Sequence, residues 1–168
     1  MQIINCTIGD IEEIFRLYKI ATEYQKTRFI VQWPEFERTL VETEIKENRQ
    51  WKIIIDHKIA CVFAITFDDP LIWEEKNTDP AVYIHRIATS PEFRGRNLVR
   101  DIADWSKIFA KENKKKFVRL DTVGENEKLI EHYKKSGFNY LGLIKLKNTT
   151  GLPAHYHNAA VSLFELEV

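Results

Sequence analysis

The sequence has no excess of charge of either sign, no long apolar run and almost no cysteine. Lysine plus arginine equals aspartate plus glutamate, at 25 each, so no global field attracts nucleic acid or an anionic membrane. No apolar run approaches the ~20 residues that a membrane-spanning helix needs. The start of the chain, Met1 to Ile4, is soon followed by acidic residues, unlike a signal peptide. We therefore expect a cytoplasmic protein in which any basic site is local.

The two cysteines and the composition indicate a reduced, compact chain. Cys6 and Cys61 both lie in apolar, strand-like runs, which favours buried thiols over a disulfide. With 168 residues, 44% of them hydrophobic and 12% aromatic, the chain is long enough for a substantial core. Residues 1–168 are expected to form a single domain.

Hydrophobic periodicity predicts an α+β fold. Two apolar strands are joined by only three residues, 56–58, so we expect them to form an antiparallel hairpin. The strands before and after the helix that starts at Leu98 are expected to be parallel. The predicted fold is a mixed, mostly antiparallel central sheet flanked by helices. The predicted elements are strands at 2–6, 51–55, 59–67, 83–89, 117–123, 138–147 and 160–168, helices from Ile11, near 36–45, from Leu98 and after Asn126, and polar loops at 71–80 and 148–159.

One basic turn joins a predicted strand to a predicted helix, and it stands out from the rest of the chain. Its residues, which we call the phosphate turn, are Arg94, Gly95, Arg96, Asn97, Leu98, Val99 and Arg100. A helix N-terminus carries unpaired N–H groups and a partial positive charge, which suits a phosphate. The turn lacks the Gly-Lys-Ser/Thr ending of a Walker loop and the three glycines of a dinucleotide fingerprint. A plain connection with solvated arginines is the alternative interpretation.

Two histidines in the last polar loop raise the question of a metal. His155 and His157 share one side of an extended segment, but no third ligand lies near them in sequence. No metal site is expected. We expect this loop to border an acceptor site or a subunit contact.

Four separate motifs, in order, resemble the GNAT superfamily of acetyl-CoA-dependent N-acetyltransferases. They cover Tyr83 to Gly142: Ile84-His85-Arg86-Ile87-Ala88; Pro91-Glu92-Phe93-Arg94-Gly95-Arg96; Leu120-Asp121; and Asn126, Leu129, Tyr133 and Gly137-Phe138. The resemblance implies the acyl-CoA N-acyltransferase fold. It also implies transfer of an acetyl group from acetyl-CoA to a primary amine by direct attack on the thioester.

The phosphate turn departs from the family pattern. That pattern reads Arg/Gln-x-x-Gly-x-Gly/Ala, which places Asn97 and Val99 where small residues belong. Asparagine tolerates unusual backbone conformations better than other non-glycine residues. Backbone donors from Arg96 to Arg100 survive both changes, so we expect coenzyme A binding to persist.

The resemblance also implies roles for individual residues. The pantetheine arm would lie between the strands at 84–89 and 117–123, bonded by backbone groups of Ile87 and Ala88. Tyr133 falls at the family's general-acid position, where a phenol can protonate a leaving thiolate; packing on the core is its alternative role. Asn126 bonds the cofactor in related enzymes or fixes the start of a helix.

The general base is open at the level of sequence. Some family members use a glutamate, but the aligned residue here is Tyr83. His85 projects from the same strand face and has a suitable pKa range. Asp121, on the neighbouring strand, is a second candidate, either as base or to orient His85 or the substrate amine. Water relays are a third.

Two other classes of function compete with the enzyme. One is a non-catalytic module that binds or senses acyl-CoA, favoured by Asn97, Val99 and the missing glutamate; the other is an interaction protein that uses only the fold. Loops at 29–34, 68–80 and 148–159 are expected to shape the acceptor pocket. The aromatic residues Trp33 and Trp73 in these loops point to a partly apolar, small-molecule acceptor, and a homodimer is compatible with the family.

Overall fold

The computed structural model describes residues 1–28 and 31–168. The contacts divide these residues into two compact units. The first unit contains Met1–Ile65 and His85–Leu98, and the second contains Thr66–Ile84 and Val99–Val168. That the whole chain is a single domain stays a prediction.

The predicted fold class is confirmed by seven strands that form one mixed sheet with helices around it. The sheet order is β1-β2-β3-β4-β5-β7-β6. In chain order the elements are β1 (Gln2–Asn5), α1 (Ile11–Arg28), α2 (Arg38–Lys46), β2 (Gln50–Ile55), β3 (Lys58–Thr66), α3 (Pro70–Trp73), β4 (Ala81–Thr89), α4 (Leu98–Glu112), β5 (Phe117–Val123), α5 (Glu127–Lys135), β6 (Asn139–Lys145) and β7 (Ala160–Glu167). Among the described residues, no helix is both long and apolar enough to cross a membrane.

The first unit is built on the β1-β2-β3 sheet and α1. A capping box between Thr7 and Asp10 starts the helical segment, and the predicted stripe that begins at Ile11 is buried along α1. The hairpin loop has Asp56 and His57 at φ +50° and +62°, the signs of a type I′ turn, whose twist suits two adjacent strands. The predicted hairpin is therefore confirmed.

The second unit holds the parallel crossover. The first four residues of β4, Ala81 to Ile84, pair in parallel with Phe117 to Leu120 of β5, as expected of strands joined through α4. Strand β7 pairs antiparallel with both β5 and β6. Helix α5 ends, as predicted, just before Gly137, which has φ +102°.

The segment predicted as a polar loop at 71–80 is wrong in part. Residues Pro70–Trp73 form the one-turn helix α3, and Glu74–Thr78 form a 3-10 turn. Proline at the first helical position presets φ and lacks only an N–H that has no partner there. Ile72 and Trp73 are 1% and 2% exposed, so they anchor this segment in the core, whereas Leu71 is 38% exposed.

The other predictions on packing are borne out where the structure describes them. Cys6 and Cys61 are buried and free, and burial raises the pKa of each thiol to about 12. Trp33 is half-buried and packs edge-on against Tyr18 at 6.0 Å between ring centroids, so it docks onto the core. Phe29 and Ile30 of the same predicted loop lie outside the described residues.

Candidate active site

The phosphate turn adopts the backbone that its glycine and asparagine predict. Gly95 has φ +84° and Asn97 has φ +55°, so both occupy the left-handed region that most side chains avoid. The expectation that Asn97 replaces a glycine by tolerating this conformation is confirmed. Helix α4 begins one residue later, at Leu98, so the last three residues of the phosphate turn carry N–H groups of the helix N-terminus.

The three arginines of the phosphate turn are exposed and only lightly held. The Arg94 guanidinium lies 4.3 Å from the centroid of the Tyr24 ring, and Arg96 lies 5.3 Å from that of Phe93. Arg100 pairs with Asp104 at 3.6 Å on the helix surface. Such exposed contacts are weak, so these cations can be redirected to an anion at little cost. Val99, by contrast, is buried, as it would be if it pointed away from a ligand.

Strand β4 carries a backbone irregularity just before the two residues predicted to bond the pantetheine arm. Arg86 has φ +52°, a rare conformation for a long side chain. Ile87 and Ala88 follow it directly, and the Ala88 side chain packs into the core of the first unit. The change in backbone direction at Arg86 therefore sets the orientation of the N–H and C=O groups of Ile87 and Ala88.

A buried ion pair accompanies the irregular residue. The Arg86 guanidinium donates to both carboxylate oxygens of Glu44, and its Nε donates to the Tyr18 hydroxyl at 3.2 Å. The ring of Phe36 lies 5.2 Å from the guanidinium carbon. Both bonds to Glu44 come from Nη2 of Arg86, and such charge-assisted bonds are stronger than neutral ones. We call these residues the Arg86 cluster; sequence reasoning did not single out Glu44 or Tyr18.

His85, one of the two predicted bases, is uncharged at neutral pH. Burial, with the nearby guanidinium groups of Arg86 and Arg49, lowers the pKa of His85 to about 3. A base of that strength accepts a proton poorly at pH 7. His85 as base stays a prediction, and its electrostatic surroundings argue against it.

The predicted general acid, Tyr133, lies on α5 with its ring against other aromatic rings. Its side chain is 9% exposed, and its centroid lies 4.9 Å from that of Phe164 and 6.0 Å from that of Phe138. The ring is thus fixed by packing, which does not decide whether the hydroxyl takes part in catalysis. Asn126 caps the start of α5, where its Oδ1 accepts from the Leu129 N–H at 3.1 Å.

Asp121 meets the last polar loop. The Tyr156 hydroxyl donates to Asp121 Oδ2 at 2.7 Å, and burial raises the pKa of Asp121 to about 6. The His155 ring lies at a tilt against that of Tyr156, at 4.3 Å between centroids, whereas His157 bonds to the Leu152 carbonyl. Neither histidine belongs to a group of three metal-ligating side chains in the described part of the chain.

A second half-buried carboxylate, which sequence reasoning missed, lies close to Asp121. One carboxylate oxygen of Asp69 lies within 4.8 Å of one from Asp121. Burial, followed by the charges of Asp121 and Asp68, raises the pKa of Asp69 to about 8. The only sequence signal was the pattern Asp68-Asp69-Pro70 at the end of a strand, which also marks an ordinary turn.

Comparison with known proteins identifies the family. The model of the acetyltransferase (GNAT) family matches residues 10–138, well over half of the chain. The chain therefore belongs to the GNAT acetyltransferase family. Membership implies acetyl-CoA as the acyl donor, and a left-handed turn with exposed arginines before a helix fits its pyrophosphate.

One curated relative matches part of the chain, and two solved structures share its fold. The chain is 27% identical over 74 residues to the uncharacterized N-acetyltransferase YesJ of Bacillus subtilis, a match that spans 44% of this chain and only 41% of that protein. A GNAT-family acetyltransferase structure from Listeria monocytogenes aligns over 99% of this chain and 94% of its own, with a TM-score of 0.78 and 23% identity. One from Streptococcus agalactiae aligns over 99% and 95%, with a TM-score of 0.74 and 23% identity.

Proposed function

We propose that this chain transfers the acetyl group of acetyl-CoA to a primary amine of a small molecule. The observation that carries the proposal is the phosphate turn, in which Gly95 and Asn97 bring the backbone into α4 through left-handed conformations. When bound, acetyl-CoA supplies a thioester carbonyl and a thiolate leaving group. The chain's own residues then have to anchor the phosphates and orient the carbonyl. They also have to take a proton from the attacking amine and give one to the leaving thiolate.

The proposed anchoring uses backbone before side chains. N–H groups from Arg96 to Arg100 would bind the pyrophosphate, and the guanidinium groups of Arg96 and Arg100 would add charge. The backbone groups of Ile87 and Ala88 would orient the carbonyl. Their N–H donors would stabilise the negative charge that develops on its oxygen when the amine attacks.

The proposed proton transfers use Tyr133 and Asp121. The Tyr133 hydroxyl would give its proton to the leaving thiolate, a task for which a phenol is suited. An amine with a pKa near 10 arrives protonated, so a base must accept a proton before attack. Asp121, with a pKa near 6, is better matched to that task at neutral pH than His85, whose pKa is about 3.

Calorimetric titration with acetyl-CoA tests the anchoring. We expect micromolar binding by the wild type and a loss of about tenfold or more in the Arg96→Ala/Arg100→Ala variant, because charge-assisted contacts to phosphate are strong. The matched control, Lys111→Ala/Lys135→Ala, removes two exposed cations outside the turn and should keep the wild-type Kd. Equal affinity in both double variants would contradict the proposal.

A screen of primary amines for thiol release then tests turnover. Acetylation of at least one amine by a protein that binds acetyl-CoA supports the enzyme. Tight binding without turnover of any amine would favour an acyl-CoA-binding module instead.

A further inference from the structure

We propose that Glu44 and Arg86 are positioning residues for the acyl group: their ion pair holds strand β4 in the conformation that directs the N–H groups of Ile87 and Ala88 at the thioester carbonyl. The inference rests on the proposed function and deepens it. It brings helix α2, which contains Glu44, into the reaction through one buried guanidinium. Glu44 and Arg86 act on the carbonyl only through the strand backbone.

Arg86 interrupts a strand, whereas the other described non-glycine residues with a positive φ lie in turns or beside the ends of helices. Every residue of β4 is described, and within the strand Arg86 alone has a positive φ, of +52°. That conformation is unfavourable for a residue with a Cβ, and it persists only where surrounding contacts fix it. The contacts of the Arg86 side chain therefore have to hold the backbone.

The guanidinium of Arg86 is held by α1 and α2 together. Glu44 of α2 accepts from Nη2 with both carboxylate oxygens, and Tyr18 of α1 accepts from Nε at 3.2 Å. The side chains of Glu44 and Arg86 are 5% and 14% exposed, so solvent ions screen the pair little. The guanidinium is thus fixed against both helices, and it restricts the Cα that carries it.

Stability alone does not account for a buried ion pair at this place. Taking two charges out of water costs free energy that their attraction often only offsets, so apolar residues of similar volume commonly give equal stability. A buried ion pair can instead select one conformation among several. At Arg86 the selected conformation is that of the strand backbone, which a Cβ otherwise disfavours.

The residues that follow Arg86 transmit its conformation. The Ala88 side chain is 1% exposed and belongs to the buried cluster that also contains Tyr18 and Ile45. The guanidinium of Arg86 and the side chain of Ala88 fix both ends of a short segment whose peptide groups are planar. The backbone angles of Arg86 therefore decide where the N–H groups of Ile87 and Ala88 point. Donors aimed in advance at the developing negative charge are those that lower its energy most.

Two double variants separate the backbone effect from the loss of charge. Glu44→Met/Arg86→Met and Glu44→Met/Arg86→Gly both remove the two charges together, so neither leaves one member of the pair alone. They differ at position 86, where methionine disfavours a positive φ and glycine permits it. Glycine also leaves a cavity that methionine fills, so an effect of packing alone would favour the methionine variant.

Carbon-13 NMR of acetyl-CoA labelled at the thioester carbonyl gives the readout at the acyl group itself. Hydrogen bonds to the oxygen move this signal to higher frequency on binding. We expect the wild-type shift in Glu44→Met/Arg86→Gly and a smaller shift in Glu44→Met/Arg86→Met. The Kd for acetyl-CoA should stay close to wild type in both, because the phosphates are bound by other residues. Equal shifts in the two variants, or a smaller shift in the glycine variant, would overturn the proposal.

Turnover should follow the same order. For an amine that the wild type acetylates, we expect kcat at saturating substrates to fall about tenfold or more in Glu44→Met/Arg86→Met, because misdirected donors stabilise the oxyanion poorly. The fall should be clearly smaller in Glu44→Met/Arg86→Gly. A glycine variant as slow as the methionine variant would contradict the positioning role.

Lys52→Met controls for the loss of a buried ion pair as such. Lys52 pairs with Asp10 at 2.6 Å in the same unit, with side chains 10% and 14% exposed, and neither residue lies on β4. It should lower the urea midpoint much as Glu44→Met does, but keep the wild-type carbonyl shift and kcat. Equal losses of the carbonyl shift in Lys52→Met and Glu44→Met would trace the effect to stability and overturn the positioning role. If Glu44→Met does not fold, the two double variants decide the question.

Carbon-13 shifts of residue 86 in the unliganded protein separate this inference from the proposed function. Its Cα and Cβ shifts distinguish a left-handed from an extended backbone, so they should change between the wild type and Glu44→Met. Unchanged shifts would show that Glu44 does not hold the strand and would overturn the inference. If the wild type binds no acetyl-CoA, the proposed function fails and the orientation of the carbonyl fails with it, whereas these shifts still decide whether Glu44 fixes the backbone at Arg86.

Discussion

At the scale of single residues, Asn97 stands where the family pattern has a small residue, and it adopts a backbone conformation that glycine favours. The backbone of this turn is left-handed at position 97, a conformation that glycine adopts without steric cost. Asn97 reaches φ +55° with a side chain present. The residue type at 97 departs from the family pattern, whereas its backbone conformation is one that glycine also adopts readily.

Substitutions at Asn97 measure that requirement. Alanine in the left-handed region costs about 1 kcal/mol or more, so Asn97→Ala should lower the free energy of unfolding by about that amount and weaken acetyl-CoA binding. Asn97→Gly should match or exceed the wild type in both measurements. Urea denaturation and calorimetry give the two quantities. If Asn97→Ala and Asn97→Gly had the same free energy of unfolding and the same affinity for acetyl-CoA, the backbone conformation at position 97 would not matter for either.

Tyr133 is the residue on which the proposed chemistry depends most directly. Replacement by phenylalanine keeps the ring that packs on Phe164 and Phe138 and removes only the hydroxyl. General acid catalysis contributes about 100-fold or more, so Tyr133→Phe should lower kcat at saturating substrates by roughly that factor, with little change in Tm.

A second tyrosine provides the control for Tyr133. Tyr140 also packs on Phe164, at 5.4 Å between centroids, and lies on β6, so Tyr140→Phe removes a hydroxyl from the same aromatic cluster. Its kcat should stay at the wild-type value. An undiminished kcat in Tyr133→Phe would remove that residue from the reaction.

At the scale of elements, Arg119 fastens the segment between β3 and β4 to the sheet. Its guanidinium joins Asp79 and the Lys76 carbonyl, both at the end of that segment, to Glu165 on β7. The rings of Trp73 and Phe117 lie 4.7 and 4.8 Å from its guanidinium carbon. A short helix with little intrinsic stability is thus held by one buried cation.

Removing that cation should be costly. Arg119→Met keeps much of the apolar volume but leaves Glu165 and Asp79 without their partner, and loss of one member of a buried pair costs about 3–5 kcal/mol; the partial exposure of Asp79 favours the lower end. Urea denaturation measures the loss. The control Arg38→Met breaks two exposed ion pairs and should cost under about 1 kcal/mol. Similar losses in the two variants would contradict the fastening role.

The regular elements were predictable from sequence, and the reason lies in their periodicity. The stripe from Ile11 along α1 and the apolar runs of β2 and β3 extend over enough residues to show a period. Helix α3 has four residues, too few to display one, and was predicted as loop. The turn residues and Asn126 were found because their role is local.

The rest of the candidate site depends on contacts between residues far apart in the chain. Asp69 lies 52 positions before Asp121, and Glu44 lies 42 before Arg86; neither partner carries a local mark of the pairing. The low pKa of His85 likewise follows from burial, which strand propensity does not reveal.

At the scale of the whole molecule, the two compact units divide β4 between them. Ala81 to Ile84 belongs to the second unit, and His85 to Thr89 belongs to the first. A strand is continuous covalently, so we expect the units to unfold together as one domain.

Fluorine NMR tests that expectation on the wild-type sequence labelled with 5-fluorotryptophan. Trp33 and Trp51 report on the first unit, and Trp73 and Trp105 report on the second. All four native signals should disappear at one urea midpoint, and acetyl-CoA should raise that midpoint for all four. Two midpoints divided by unit would show two domains.

The ion pair between Arg86 and Glu44 has a consequence for how this chain can change over generations. Arg86 occupies a backbone conformation that disfavours long side chains, and it is kept there by Glu44 and Tyr18. Glycine at 86 would relax the backbone but leave the buried Glu44 carboxylate with only its longer ion pair to Arg49, at 3.7 Å, and loss of Glu44 would remove the counter-charge of a buried guanidinium. Neither position can drift alone. Descendants of this sequence should therefore keep both residues or exchange both at once.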